Sequence, residues 1–275
     1  MKRWLGIDFS GNHKMWRPAA QKGNVWIAEI AEADGKKQLR RLEQVQALPG
    51  MGPPFQKLAH FLGRREFEAA AIDAPFSVPS DFLPSASHRK LLELTASIER
   101  PKGWPFPAGT DFISRILAGR TLLNRKPLRN TEKFWQNRKI NVRSTLWCGP
   151  RSWAPMTSAC LTLLKEAGCP IWPWDRQGPG LLVEAFPAAQ LREWKMPYQG
   201  YGKDDATASS TRKALVSRFS NRISLGSFEG KLEKSADALD AILCAFAAFA
   251  VTTDNLARPP DVNDPLDEGL IAVCK

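Results

Sequence analysis

The segment Ser235–Val251, SADALDAILCAFAAFAV, restricts the fold more than any other stretch of the chain. It is rich in Ala and nearly free of Gly, Pro and β-branched residues, so it predicts a helix. Its apolar side chains run almost all the way round, the pattern of a helix buried in a core rather than laid on a surface. Ser235 suits its N-cap. Two carboxylates, Asp237 and Asp240, interrupt the apolar surface three residues apart, so both project from one face of its first turns. A buried helix with paired acids at one end must aim them at something.

The chain upstream supplies strands for that helix to cover. Lys2–Phe9 predicts a first strand, closed by a turn at Gly11-Asn12. Asn24–Ala31 and Gln38–Ala47 predict two more, joined through the hairpin signal Asp34-Gly35. Pro53-Pro54 opens a helix over Phe55–Leu62, ended by Gly63. Glu68–Asp73 then reads as a buried strand stopped at Pro75, and the helical crossover before it predicts a parallel pairing with the first strand. Leu181–Phe186 is a further strand, Thr211–Phe219 a short basic helix, and Leu270–Val273 a last candidate strand. A three-stranded antiparallel meander, a helix and parallel strands give an α/β fold with the element order of ribonuclease H-like cores. The expectation is one such domain over residues 1–275, its mixed sheet flanked by helices.

Between residues 78 and 165 the character changes. Helical patches at Arg89–Ile98, Phe112–Leu123 and Thr157–Ala167 alternate with proline-rich loops such as RPKGWPFPAG, which reads as a mostly helical insertion. The whole chain carries a net charge of +11, and Arg89–Arg151 alone holds fourteen Lys or Arg against four acids. Aromatic residues (Trp104, Phe106, Phe112, Phe134, Trp135, Trp147) are interleaved with these cations. That mixture suits a polyanion with stackable bases, and it equally suits a solvated basic face over core aromatics. On the first reading the nucleic-acid contacts are Arg125, Lys126, Arg129, Lys133, Arg138, Lys139 and Arg143.

Acids recur where the strands end. Asp8 lies late in the first strand and Asp73 closes the fourth. If those strands are parallel neighbours, both acids reach the edge of the sheet where α/β proteins bind ligands, and the helix from Ser235 can bring Asp240 to them. Clustered carboxylates repel unless a cation joins them. Oxygen ligands in a chain with three histidines favour Mg²⁺ or Mn²⁺ over zinc. Two such ions about 4 Å apart activate water and stabilise a leaving oxygen in phosphoryl chemistry, with no histidine base required. Asp8, Asp73 and Asp240 are therefore the expected metal ligands. Asp237 is auxiliary, or simply a favourable charge at a helix start. Glu184, at the end of the strand LLVEAF, is either a fifth acid or the partner of an arginine.

Four blocks, GIDFSG, AIDAPFSVP, VEAFPAA and SADALDAILCAFAA, resemble the motifs of the family of predicted nucleases catalogued as domain of unknown function 429. The resemblance implies a ribonuclease H-like fold alongside RuvC-like resolvases. It matches Asp8, Asp73, Glu184 and Asp240 to the family's acidic positions and Asp237 to the additional acid of its last helix. Tyr201-Gly202-Lys203 loosely resembles a Tyr-Lys pair found after the Glu motif. VRSTL, at Val142–Leu146, resembles an Arg-Thr segment, with Leu146 where an acid is expected.

The leading expectation is a divalent-metal-dependent nuclease. The alternatives are a non-catalytic nucleic-acid-binding module on the same fold, or a phosphotransferase of the sugar-kinase and actin type, for which GIDFSG resembles a phosphate-binding hairpin. The chain shows no signal-peptide h-region and no apolar run of membrane-spanning length, and its five cysteines have no CxxC spacing. A cytoplasmic protein with reduced thiols is expected, with homodimerisation open.

Overall fold

In a computed structural model, which describes residues 1–20, 23–122, 126–149, 152–175, 178–257 and 265–275, the chain is built around one mixed sheet. Strands β1 (Lys2–Asp8), β2 (Trp26–Ala33) and β3 (Lys36–Gln44) form the antiparallel meander. The turn joining β2 and β3 is Asp34-Gly35, with φ of 53° and 71°, the doubly positive geometry that matches the twist of the flanking strands. Helix α1 (Pro54–Gly63) leads to β4 (Ala69–Asp73), which pairs parallel with β1. Helices α2 (His88–Ala96), α3 (Gly109–Leu117), α4 (Asn130–Asn137) and α5 (Ala154–Ala167) follow. Strand β5 (Leu181–Glu184) then pairs parallel with β4. After it come α6 (Pro187–Glu193), α7 (Ala206–Phe219), α8 (Glu229–Lys234) and α9 (Ala236–Thr252). The strand order is β3-β2-β1-β4-β5, an α/β sheet with antiparallel pairs on one half and parallel pairs on the other.

Successive residues of a strand face opposite sides of the sheet, and the two sides have different partners. Leu5 and Ile7 of β1, with Ala70 and Ile72 of β4, join Phe55 of α1 and Leu163 of α5 in one core. Trp4 of β1, with Ala69 and Ala71 of β4, joins the buried length of α9 in the other. Helices α2 and α3 pack on α5, so the basic segment supplies much of the cover for the first face. Its Phe106 and Phe112 are core residues of that face.

Helix α9 crosses β1, β2 and β4 directly. Gly6 makes this approach possible: a Cβ there would stand 1.9 Å from the carbonyl oxygen of Ala241 and 2.2 Å from the amide nitrogen of Ala245. Ser235 caps the helix by accepting a hydrogen bond from the amide of Ala238.

Several boundaries differ from the sequence expectation. The third strand stops at Gln44 and turns into a 3₁₀ segment at Val45–Ala47. Helix α7 begins at Ala206, not Thr211, because Asp205 caps it by accepting the amide of Ala208 at 2.8 Å. The helices α4, α6 and α8 have no counterpart in the sequence expectation; each is short, of eight, seven and six residues. Leu270–Val273 does not form a strand: it carries an isolated parallel bridge, Ala185 to Ala272. Among the described residues, no helix is long and apolar enough to cross a membrane.

Candidate metal centre

The register of β1 on β4 pairs Asp8 with Asp73 as parallel neighbours at the last position of each strand. Counting back by twos, Asp8 follows Gly6 and Trp4, and Asp73 follows Ala71 and Ala69. Both acids therefore project toward α9. Asp240 lies five positions into that helix, close to where Ala241 crosses Gly6. One carboxylate oxygen from each of Asp8, Asp73 and Asp240 lies within 4.8 Å of the others. Asp8 is 8% exposed, while Asp73 and Asp240 are half-buried, so the cluster opens to solvent along one side.

The acids raise one another's proton affinity. Burial, then the charges of Asp240, Asp237 and Asp73, push the Asp8 carboxyl well above the usual carboxylate range. Burial, then Asp240 and Glu184, do the same to Asp73. Asp240 is pushed up to about 7, mainly by burial, against the opposing pull of a hydrogen bond from Tyr201. The ion pairs among the described residues all lie elsewhere. Three converging acids without a basic partner are a donor set for a hard cation. Two oxygens on one Mg²⁺ lie no more than about 4.2 Å apart, since Mg–O is about 2.1 Å. The 4.8 Å ceiling on the observed separations is close to that distance and every donor is a carboxylate oxygen, so the residues fit such an ion.

Tyr201, which the sequence marks only through the loose Tyr201-Gly202-Lys203 resemblance, belongs to this site. Its hydroxyl donates to Asp240 Oδ1 at 2.7 Å, and its ring is buried. Arg212, on α7 and also buried, holds the loop in place. Its Nη1 donates to the carbonyl oxygens of Tyr201 (2.6 Å) and Lys203 (3.0 Å), and its Nε donates to that of Glu233 at 2.8 Å. The sequence signal for it is the segment Tyr201-Gly202-Lys203, which loosely resembles the Tyr-Lys pair after the Glu motif.

The remaining expected acids do not join the cluster of close oxygens. Asp237 is half-buried in the first turn of α9, where burial raises its own proton affinity and its charge raises that of Asp8 and Asp240. Glu184 faces the other way. It follows Leu182 by two residues, and Leu182 lies in the core opposite α9. Of the two roles open to Glu184, the arginine partner is the observed one: Arg129 donates to its carboxylate at 2.8 Å and 2.5 Å. Glu184 Oε2 also accepts the amide of Phe76 at 3.0 Å.

Arg129 corrects the set of expected nucleic-acid contacts. It is 0% exposed, so it cannot meet a phosphate backbone. Its guanidinium is shared between Glu184 and Glu132, the latter accepting its Nε at 3.1 Å. Burial pushes the Glu132 carboxyl up to about 7 even against this arginine's charge. Of the others, Lys126, Lys133, Arg138 and Lys139 are exposed and Arg143 is half-buried. Lys126 lies over the ring of Trp147 and Arg138 over that of Phe134. Arg125 lies outside the described residues.

No curated protein and no solved structure matches the chain. A family model does match residues 6–264, nearly the whole length, a range that spans Asp8, Asp73, Glu184, Asp237 and Asp240. The chain is thus a member of the family described as protein of unknown function DUF429.

Proposed function

We propose that the protein is a divalent-metal-dependent nuclease on a ribonuclease H-like sheet, hydrolysing phosphodiester bonds of nucleic acid by two-metal-type chemistry. One observation carries this reading: two neighbouring parallel strand ends and a crossing helix bring one oxygen from each of three carboxylates, none of them in an ion pair among the described residues, within 4.8 Å. Asp8, Asp73 and Asp240 would hold Mg²⁺ or Mn²⁺, which supplies an activated water and charge stabilisation at the leaving oxygen. Strand pairing fixes Asp8 and Asp73 side by side, so their separation costs no reorganisation when substrate arrives. Tyr201 orients Asp240. Asp237 deepens the negative potential at the rim, which draws the cation in. The exposed Lys126, Lys133, Arg138 and Lys139, with Arg143, provide positive charge for a phosphate backbone.

Asp8→Asn tests the reading. It keeps size and polarity but removes one of three charges. Mg²⁺- or Mn²⁺-dependent cleavage of DNA or RNA is expected to fall by at least about 100-fold, with binding of the same strands retained. Cleavage at the wild-type rate by Asp8→Asn sinks the proposal.

A further inference from the structure

We propose that the stacked rings of His13 and Trp104 form a platform on which an unpaired base of a single-stranded nucleic acid stacks, at the sheet edge that carries the acid cluster. The inference rests on the nucleic-acid reading above and narrows the substrate to strands with exposed bases.

The platform's place follows from the topology. Strands β1, β3 and β4 end at one edge of the sheet, and β2 begins there, with Trp26 opposite Asp8. The chain leaving β1 stays at that edge. Trp16 Nε1 donates to the carbonyl oxygen of Ser10 at 2.8 Å, and Gln46, just beyond β3, donates to that of Met15 at 2.8 Å. His13 opens the short 3₁₀ turn between these anchors. Trp104 arrives from the loop before α3. That loop is held by Arg100 Nη1 donating to the carbonyl oxygen of Pro105 (2.8 Å) and Ser158 Oγ donating to that of Pro107 (3.0 Å). The two rings stack at 3.7 Å between centroids, 15° from parallel.

The molecule contains a control for this arrangement. His88 and Trp174 stack in the same way, at 3.6 Å and 6°. There, His88 is buried and bonded through Nε2 to the Phe76 carbonyl, and Trp174 packs on the core, so that pair is architectural. His13 and Trp104 are both half-buried, and neither belongs to the apolar cores of the described residues. Three exposed cations lie close to them in the chain, Lys14, Arg17 and Lys102, and the charges of Lys14 and Arg17 reach His13. Burial and the charges of Arg17 and Lys14 lower the proton affinity of His13. A flat aromatic surface with cations nearby takes a base on its face and phosphates beside it. Every base has such a face, so the platform selects unpaired nucleotides without selecting sequence.

The test compares binding of a short oligothymidylate with binding of an abasic strand of the same length. The full chain is used with Ca²⁺ present, and strand integrity is checked on a gel. Wild type is expected to prefer the base-bearing strand by at least about fivefold. Trp104→Leu should lose that preference, Trp104→Phe should keep most of it, and all three should bind the abasic strand alike. Equal wild-type affinity for the two strands overturns the proposal. So does a Trp104→Leu variant that retains the preference, whatever its melting temperature. Should Trp104→Leu not fold, His13→Leu and the wild-type comparison decide in the same terms. Base-dependent binding without cleavage would leave the platform standing and remove the nuclease; cleavage with base-independent binding would do the reverse.

Discussion

Asp240 is held in place by a phenol. Tyr201 donates to its Oδ1 at 2.7 Å, and this bond favours the charged carboxylate while burial opposes it. Tyr201→Phe removes the donor and leaves the ring, so the fold should survive. Loss of a hydrogen bond to a charged group is worth about 1.5–3 kcal/mol, which moves the Asp240 carboxyl above its value of about 7. A ligand must shed its proton to bind a cation, so the variant should bind Mn²⁺ about tenfold more weakly near neutrality. The deficit should shrink as pH rises and Asp240 ionises regardless. Calorimetric Mn²⁺ titrations of both proteins from about pH 6 to about pH 9 measure this. Matching affinities throughout would show that Tyr201 does not position Asp240.

At the scale of elements, the Arg129 side chain ties α4 to β5. One buried guanidinium neutralises Glu132 from its own helix and Glu184 from the strand, and it also donates to the Glu268 carbonyl at 3.3 Å. Arg129→Met leaves two buried carboxylates uncompensated. It should cost about 3–5 kcal/mol in denaturant unfolding, partly recovered by adding Glu132→Gln. Lys133→Ala, one turn along the same helix but exposed, should stay within about 0.5 kcal/mol. On the proposed nucleic-acid reading its effect belongs in the salt dependence of affinity, whose slope should fall by about one. A comparable loss of stability in both variants would contradict this division.

The contrast also marks what the sequence can disclose. Helix α9 is legible because an unbroken apolar surface has one physical solution, and the meander because Asp34-Gly35 dictates a tight hairpin. Asp8 and Asp73 are legible as strand-end acids. That they are register partners, and that both face α9, requires the pairing itself. Glu184 illustrates the limit: the alternation of LLVE puts it on the face of Leu182, yet which face carries the acids emerges only once α9 is seated. Arg129 carries no local mark of burial, since its main partner lies 55 residues away. Short helices such as α4 and α6 depend on packing more than on their own periodicity.

For the whole molecule, the acid cluster couples stability to pH and, on the proposed reading, to metal. Asp8, Asp73, Asp240 and Glu132 all hold their protons more tightly folded than unfolded. Such groups contribute their full stability below the unfolded carboxyl value of about 4 and lose it as pH rises through the folded values. Those values reach about 7 for Asp240 and Glu132. In this window the folded state binds more protons than the unfolded one, so unfolding free energy falls with rising pH. In EDTA, the melting temperature should therefore drop between about pH 5 and about pH 8, with Asp240 alone accounting for roughly 2–4 kcal/mol. A divalent cation held by Asp8, Asp73 and Asp240 would replace the protons and reverse the sign for the cluster. The stabilisation given by Mn²⁺ over EDTA should grow with pH across the same range. Asp240→Asn should flatten both curves, while the contribution of Glu132, remote from the cation, persists. Thermal melts at four or five pH values, with Mn²⁺ or EDTA, separate the cases. A Mn²⁺ increment that is constant with pH would mean that the cation binds groups already ionised, and would move the metal site away from Asp8, Asp73 and Asp240.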